Sequence, residues 1–249
     1  MSIGVILGIF AIYIVATFCT VVSGFGFAII ATPLMSIFLG PKAAVLYIKA
    51  SSSLLRLVMM WRTRHDFNAP VVGMTLLGIV VGVIPGSYVL KIIGSAELNI
   101  FLGCLLFAAV WLMGRRVALP VHNVAWGRFD AGVLCGFFSG CTSVGGPPLA
   151  LWFVNEDMPK LAMRGNLIWS FACSSFLTLA GSFITGTVSA VSDWYSVIYT
   201  LPGIVLGYVA GQHYFSRIDQ ERFRQLVLAI ILLGAVTALG SGLWQKLSV

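Results

Sequence analysis

Ser139-Gly140-Cys141-Thr142-Ser143-Val144-Gly145-Gly146-Pro147-Pro148 interrupts an otherwise apolar stretch, with apolar runs at 127–140 and 144–155 on either side. Runs this short, split by glycine and proline, read as a broken or re-entrant helical hairpin. In hydrocarbon no backbone polar group can stay unpaired, so such a break must be buried in protein or line a wet cavity. The free N–H groups of the half-helix that follows, together with its dipole, favour an anion. Glycine lets an oxyanion approach the backbone, and Ser139, Thr142 and Ser143 add hydroxyl donors. Pro147 or Pro148 suits the first turn of the second helix, where a missing N–H loses nothing. The blander reading is tight packing by small residues, or a simple turn.

The rest of the chain supplies the setting. Of 249 residues, 59% are apolar and 9% charged, and the mean hydropathy is +1.00. Soluble domains carry about 25% charged residues. An ordinary cytosolic enzyme, a disordered chain and a secreted disulfide scaffold are therefore excluded. The apolar runs are continuous rather than alternating, which argues against a transmembrane barrel. A net charge of +7 could suggest nucleic acid in a soluble protein. Here the basic residues gather between apolar runs, as in cytoplasmic loops of membrane proteins, so no nucleic-acid partner is expected. The cysteines (Cys19, Cys104, Cys135, Cys141, Cys173) form no CxxC pair and lie in apolar runs or at their ends. They read as small apolar fillers, not as a disulfide framework or a metal site. No Lys or Arg precedes Lys42, so residues 3–22 read as a retained membrane segment rather than a signal peptide.

Apolar segments run over 3–22, 25–39, 43–61, 71–90, 98–114, 127–140, 144–155, 163–184, 195–213 and 224–244. Several reach the ~20 residues that span a bilayer. The chain reads as two copies of one unit. Ser23-Gly24-Phe25-Gly26 opens a first break that ends at Pro33-Leu34, matching Ser139-Gly140 through Pro148-Leu149. Lys49 matches Arg164, and Gly82-x-x-x-Gly86 matches Gly207-x-x-x-Gly211, with the offset drifting from about 115 to about 125 residues. The expected fold is an all-α polytopic membrane protein of two inverted-topology repeats, each a Gly/Pro-broken helical hairpin plus three transmembrane helices. The first repeat covers 1–117, a cytoplasmic linker 118–126 and the second repeat 127–249.

Charge sets the orientation. Arg62, Arg64 and His65 put the 62–68 loop inside, whereas the equivalent 185–194 loop has no Lys or Arg. The following loops reverse that bias: 91–97 carries one Lys and one Glu, but 214–224 carries Arg217, Arg222 and Arg224. Opposite bias in corresponding loops is what an inverted repeat requires. Arg115, Arg116 and Arg128 place the linker inside, and both termini come out external. This parity holds whether each hairpin is re-entrant or fully spanning.

The candidate substrate-binding residues are Ser23, Gly24, Phe25 and Gly26 at the first break, and Ser139, Gly140, Thr142, Ser143, Gly145, Gly146 and Pro147 at the second. Lys49, Arg56 and Arg164 join them, because a cation within a membrane segment is expensive and marks a site by default. The rival reading for these cations is snorkelling to the interface. Asn166, Trp169 and Ser51 to Ser53 lie near them as neutral contacts. Trp61, Trp111, Trp126, Trp194, Tyr195 and Trp244 read as interfacial anchors. All eight carboxylates fall in loops or near segment ends, so no buried Asp or Glu offers a proton relay or a sodium site. No HExxH, Walker A or nucleophile elbow occurs, and no catalytic residue, metal or cofactor is expected.

With these residues the chain resembles the TauE/SafE family of membrane permeases, proposed exporters of sulfite and sulfonates. The resemblance rests on Ser23-Gly24-Phe25-Gly26 through Pro33-Leu34-Met35, on Gly136-Phe137-Phe138-Ser139-Gly140 through Gly145-Gly146-Pro147-Pro148, on the Arg62-Thr63-Arg64 loop and on both GxxxG pairs. It covers nearly the whole chain. It implies transport of sulfur-containing or organic oxyanions, driven by the membrane potential or a proton gradient. The first break departs from the family pattern: Phe27-Ala28-Ile29-Ile30 stands where a glycine cluster is usual, so the second break is expected to carry more of the binding. The reading is a secondary transporter, an exporter, in a bacterial inner membrane. Its partners are a small anionic substrate and the lipid bilayer, with protons as a candidate coupling ion. An anion channel and a non-transporting membrane scaffold are the rivals.

Overall fold

A computed structural model describes residues 3–39, 41–114, 123–156, 158–185, 198, 200–215, 217 and 220–247. Among the described residues the structure is helical throughout: α1 (Ile3–Ser23), α2 (Phe27–Leu39), α3 (Pro41–Arg62), α4 (Ala69–Ile92), α5 (Ser95–Gly114), α6 (Val124–Thr142), α7 (Gly146–Asn155), α8 (Lys160–Thr185), α9 (Leu201–Phe215) and α10 (Gln220–Leu247). Each expected segment has its helix. α6 starts at Val124, ahead of the expected 127, because Asn123 caps it: the Asn123 side-chain oxygen accepts from the N–H groups of Ala125 and Trp126. Residues 115–122, which include 118–122 of the expected linker, and the 186–194 part of the expected outer loop lie outside the described residues. By length and composition, Ala43–Arg62 and Ala69–Ile92 are long and apolar enough to cross a membrane, and shorter apolar stretches include Leu7–Ser23 and Phe27–Ser36. Trp61, Trp111, Trp126 and Trp244 are exposed.

Glycine determines the closest helix pairs. α4 lies along α6, and a Cβ on Gly78, Gly82 or Gly86 would run into the backbone of Phe129, Val133 or Phe137 respectively. α9 lies along α1 in the same manner, with Gly203, Gly207 and Gly211 against Phe10, Ile14 and Phe18. The four-residue spacing keeps each triad on one helix face. Without a hydrophobic drive between helices in lipid, such backbone approach is what holds them together. The GxxxG pairs seen in the sequence are thus two thirds of longer triads. α5 packs on α10, and α3 on α8.

Both hairpins break as expected. Between α1 and α2, Gly24 and Gly26 adopt φ of 80° and 119°, conformations that a Cβ would strain. Between α6 and α7, Ser143 is left-handed at φ 64°. Pro147 and Pro148 fall in the first turn of α7. The second hairpin is clamped at its open end. Arg128 on α6 donates to both Glu156 oxygens past the end of α7 (Nε at 3.0 and 3.2 Å, Nη2 at 2.7 Å), and the Trp152 indole N–H donates to the same carboxylate. Glu156 is largely buried, so a lost partner leaves it unpaired. Arg128→Ala is expected to destabilise the protein by roughly 1–3 kcal/mol. Arg128→Lys should recover part of that, as read by thermal unfolding in detergent.

Candidate functional site

The two breaks face one small cleft. Phe25, Gly26, Ala28 and Ile29 line it from the first hairpin, and Ser139, Ser143, Val144, Gly145 and Gly146 from the second. Lys49 and Arg56 line it from α3, and Phe171 from α8. The hairpins touch where a Cβ on Gly146 would meet the Phe25 ring at 2.7 Å. Helix geometry leaves the first N–H groups of α2 and α7 without intrahelical partners. Ile30 is the residue of α2 whose N–H returns to Gly26, at 3.2 Å. Ala28 and Ile29 therefore bring unbonded backbone donors and the positive end of α2 to the cleft wall.

Lys49 and Arg56 are seven residues apart on α3, two turns and about 10 Å along one face. They are 2% and 7% exposed. Lys49 Nζ donates to Ser139 Oγ at 2.5 Å, and Ser174 Oγ donates to the same oxygen at 2.7 Å. Arg56 Nε donates to Ser52 Oγ at 3.5 Å, with its guanidinium 5.6 Å from the centroid of the Phe171 ring. Ser143 Oγ donates to the Val45 carbonyl at 3.1 Å, a second tie between α3 and the second break. Among the described residues no carboxylate lines the cleft. Two cations with neutral partners, facing a small polar cavity beside a helix N-terminus, can bind an anion and little else.

The remaining expected site residues lie around the cleft rather than on it. Ser23 is spent locally: its Oγ donates to the Cys19 carbonyl at 2.7 Å, contacts the Phe25 carbonyl and accepts the Phe25 N–H at 3.2 Å. Thr142 does the same at the second break, donating to the Phe138 carbonyl at 2.7 Å and accepting from Val144 N at 3.2 Å. Gly24 backs onto the Arg164 backbone, where a Cβ would sit at 3.3 Å. Gly140 packs against α4, where a Cβ would come within 2.9 Å of Val83 O and Ser87 N. Pro147 shapes the start of α7. Arg164 turns to the Phe215 ring, 4.0 Å from its centroid. Asn166 holds a loop: its Oδ1 accepts from Asn68 N at 2.7 Å and its Nδ2 reaches Met158 Sδ at 3.1 Å. Trp169 stacks on Phe67 at 4.1 Å. Missing from the sequence reading were Phe171, Ser174, Ala28, Ile29 and Val144.

A helical bundle with paired broken hairpins around a buried, cation-lined cleft belongs to the class of multi-pass membrane transporters. The family model described as Sulfite exporter TauE/SafE matches residues 9–238, and the chain belongs to that family. No curated protein and no solved structure matches it. Membership makes the protein an integral, multi-pass membrane transporter of a small anion, and not an enzyme.

Proposed function

We propose that the protein exports a small sulfur-containing or organic oxyanion, with sulfite first among the candidates, by alternating access around the two hairpin tips. One observation carries this reading: both breaks meet at a single cleft whose charged lining residues are Lys49 and Arg56. In it, the α2 N-terminus, the Lys49 ammonium and the Arg56 guanidinium hold the anion. Ser139 orients Lys49, and Phe25 and Phe171 wall off the apolar side. Ser23, Gly24, Gly140, Thr142 and Pro147 serve the shape of the tips. Arg164 and Asn166 serve the packing of α8 against its neighbours.

The inverted repeat is part of the same proposal, and the pairing pattern supports it. α4 on α6 corresponds to α9 on α1 under exchange of halves, and the two glycine triads follow the same four-residue register. Arg56 of α3 and Phe171 of α8 meet across the boundary between the halves. Rocking of one repeat on the other then alternates access to the cleft. An inside-negative potential drives an anion outward at about 2.3 kcal/mol per charge per 100 mV, which favours export from a bacterial inner membrane.

The test is ligand-dependent thermal stabilisation of the purified protein, with sulfite, thiosulfate, sulfate, sulfoacetate, taurine and simple carboxylates. A ligand that binds the folded state raises its stability by mass action. Sulfite or a close relative is expected to raise the unfolding temperature of wild type and of Arg164→Gln, and to lose most of that effect in Ser139→Ala. Absence of any anion-dependent shift in wild type overturns the reading. A shift that survives Ser139→Ala and vanishes in Arg164→Gln moves the site away from the cleft.

A further inference from the structure

We propose that the protein is an obligate anion exchanger: the inward return of the cleft requires a small inorganic anion of halide or bicarbonate size, as the outward step requires the substrate. This rests on the transport reading above and adds a second substrate and a coupling rule to it; the membrane potential then acts on the net charge exchanged, which is one per cycle for divalent sulfite against a monovalent anion.

Lys49 and Arg56 are buried, and their partners are the neutral Ser139, the neutral Ser52 and the Phe171 ring. Among the described residues no carboxylate lines the cleft, and Glu156 is committed to Arg128 at the open end of the second hairpin. Lys49 and Arg56 are already largely shielded, and the water that the open cleft admits is their remaining solvent. Changing sides requires an occluded intermediate, from which most of that water is expelled. Two cations left there without a counter-charge carry a heavy desolvation penalty. An anion between them removes most of it. The loaded carrier therefore passes through the occluded state readily and the empty one does not, in either direction.

The chemistry of the cleft also states what kind of anion suffices for the return. The donors are an ammonium, a guanidinium and a helix N-terminus, which read charge and accepting lone pairs rather than a detailed shape. The cleft is small, and its lining holds no group that demands a larger or shaped ligand. Chloride meets these requirements and is the probe.

The experiment uses the full chain in liposomes. Uptake of radiolabelled sulfite is measured with chloride inside and, separately, with lactobionate inside, a sugar acid too bulky for the cleft. The initial rate is expected to be at least roughly tenfold higher with chloride inside. In detergent, chloride alone should raise the unfolding temperature, and the increment from sulfite should shrink in its presence, because the two share one site. Equal rates with the two interiors overturn the exchange rule and leave the transport reading standing. So does a rate restored by a pH step across the membrane with lactobionate inside, which would mean that loss of a proton replaces the counter-anion. No uptake with either interior overturns both.

Discussion

Gly82→Leu is expected to leave little folded protein, and Gly207→Leu to do the same. Both glycines sit midway along a helix pair whose backbones touch. A Cβ on Gly82 would fall within 2.7 Å of Phe137 N as well as against the Val133 carbonyl, and one on Gly207 within 2.8 Å of the Thr17 Cβ and against the Ile14 carbonyl. Backbone cannot rotate aside as a side chain can, so the helices must separate along their length. Overpacking in a well-filled core costs about 1–3 kcal/mol. Here a lost seam adds to that, and a total above about 3 kcal/mol is expected. Gly73 lies on the same helix as Gly82, and its Cβ position meets nothing within 4 Å. Gly73→Ala should therefore be neutral or stabilising by about 0.5–1 kcal/mol, through helix propensity alone. Detergent-extracted yield and size-exclusion profile of the three variants provide the check. A monodisperse Gly82→Leu with unchanged unfolding temperature would mean that the α4–α6 contact does not hold the bundle together. If only Gly207→Leu is tolerated, the two seams are unequal, as the bulkier Tyr13, Thr17 and Val21 of α1 at the places of Gly132, Gly136 and Gly140 of α6 would allow.

The number and order of helices were legible because membrane segments announce themselves by continuous apolar length, and the breaks because Gly and Pro have few other uses there. The convergence of the two breaks on one cleft followed from their matching places in two halves. Which residues of each break face that cleft was not legible. Ser23 and Ser139 match in the sequence, yet the packed helices pair Ser23 with Thr142: both hydroxyls donate to the carbonyl four residues back and accept an N–H two residues on. Ser139 lies nearly one turn earlier on its helix, where it meets Lys49 of α3 and Ser174 of α8. Arg164 matches Lys49 in the sequence, but tertiary packing sends its guanidinium to Phe215. Gly140 belongs to the second break in the sequence and, in the packed structure, extends a row of small residues with Gly132 and Gly136 against α4, a four-residue period visible in the chain.

Lys49→Met and Arg56→Met are each expected to raise the unfolding temperature of the ligand-free protein and to abolish its response to sulfite. The two effects have one cause. A buried cation without a counter-charge is a liability to the folded state, and replacing buried charge by an apolar side chain of similar volume often stabilises by about 1–4 kcal/mol. Methionine keeps most of the stem's volume and adapts to irregular space. The same substitution removes a charge-assisted hydrogen bond to the anion, worth about 1.5–3 kcal/mol, so that affinity falls about 10- to 100-fold. Ser139→Ala separates charge from packing, because it should act with the opposite sign on the ligand-free protein. It leaves the Lys49 ammonium and the Ser174 hydroxyl without their shared acceptor, and should destabilise by about 1–3 kcal/mol. A lowered unfolding temperature in Lys49→Met would show that the ammonium is compensated in the folded state and would remove the ground for an anion at the cleft. Retention of the full sulfite shift in both methionine variants would place the anion elsewhere. If both gain stability and lose the response, the cleft holds charge at the expense of the fold, which a membrane protein retains only where that charge has a ligand.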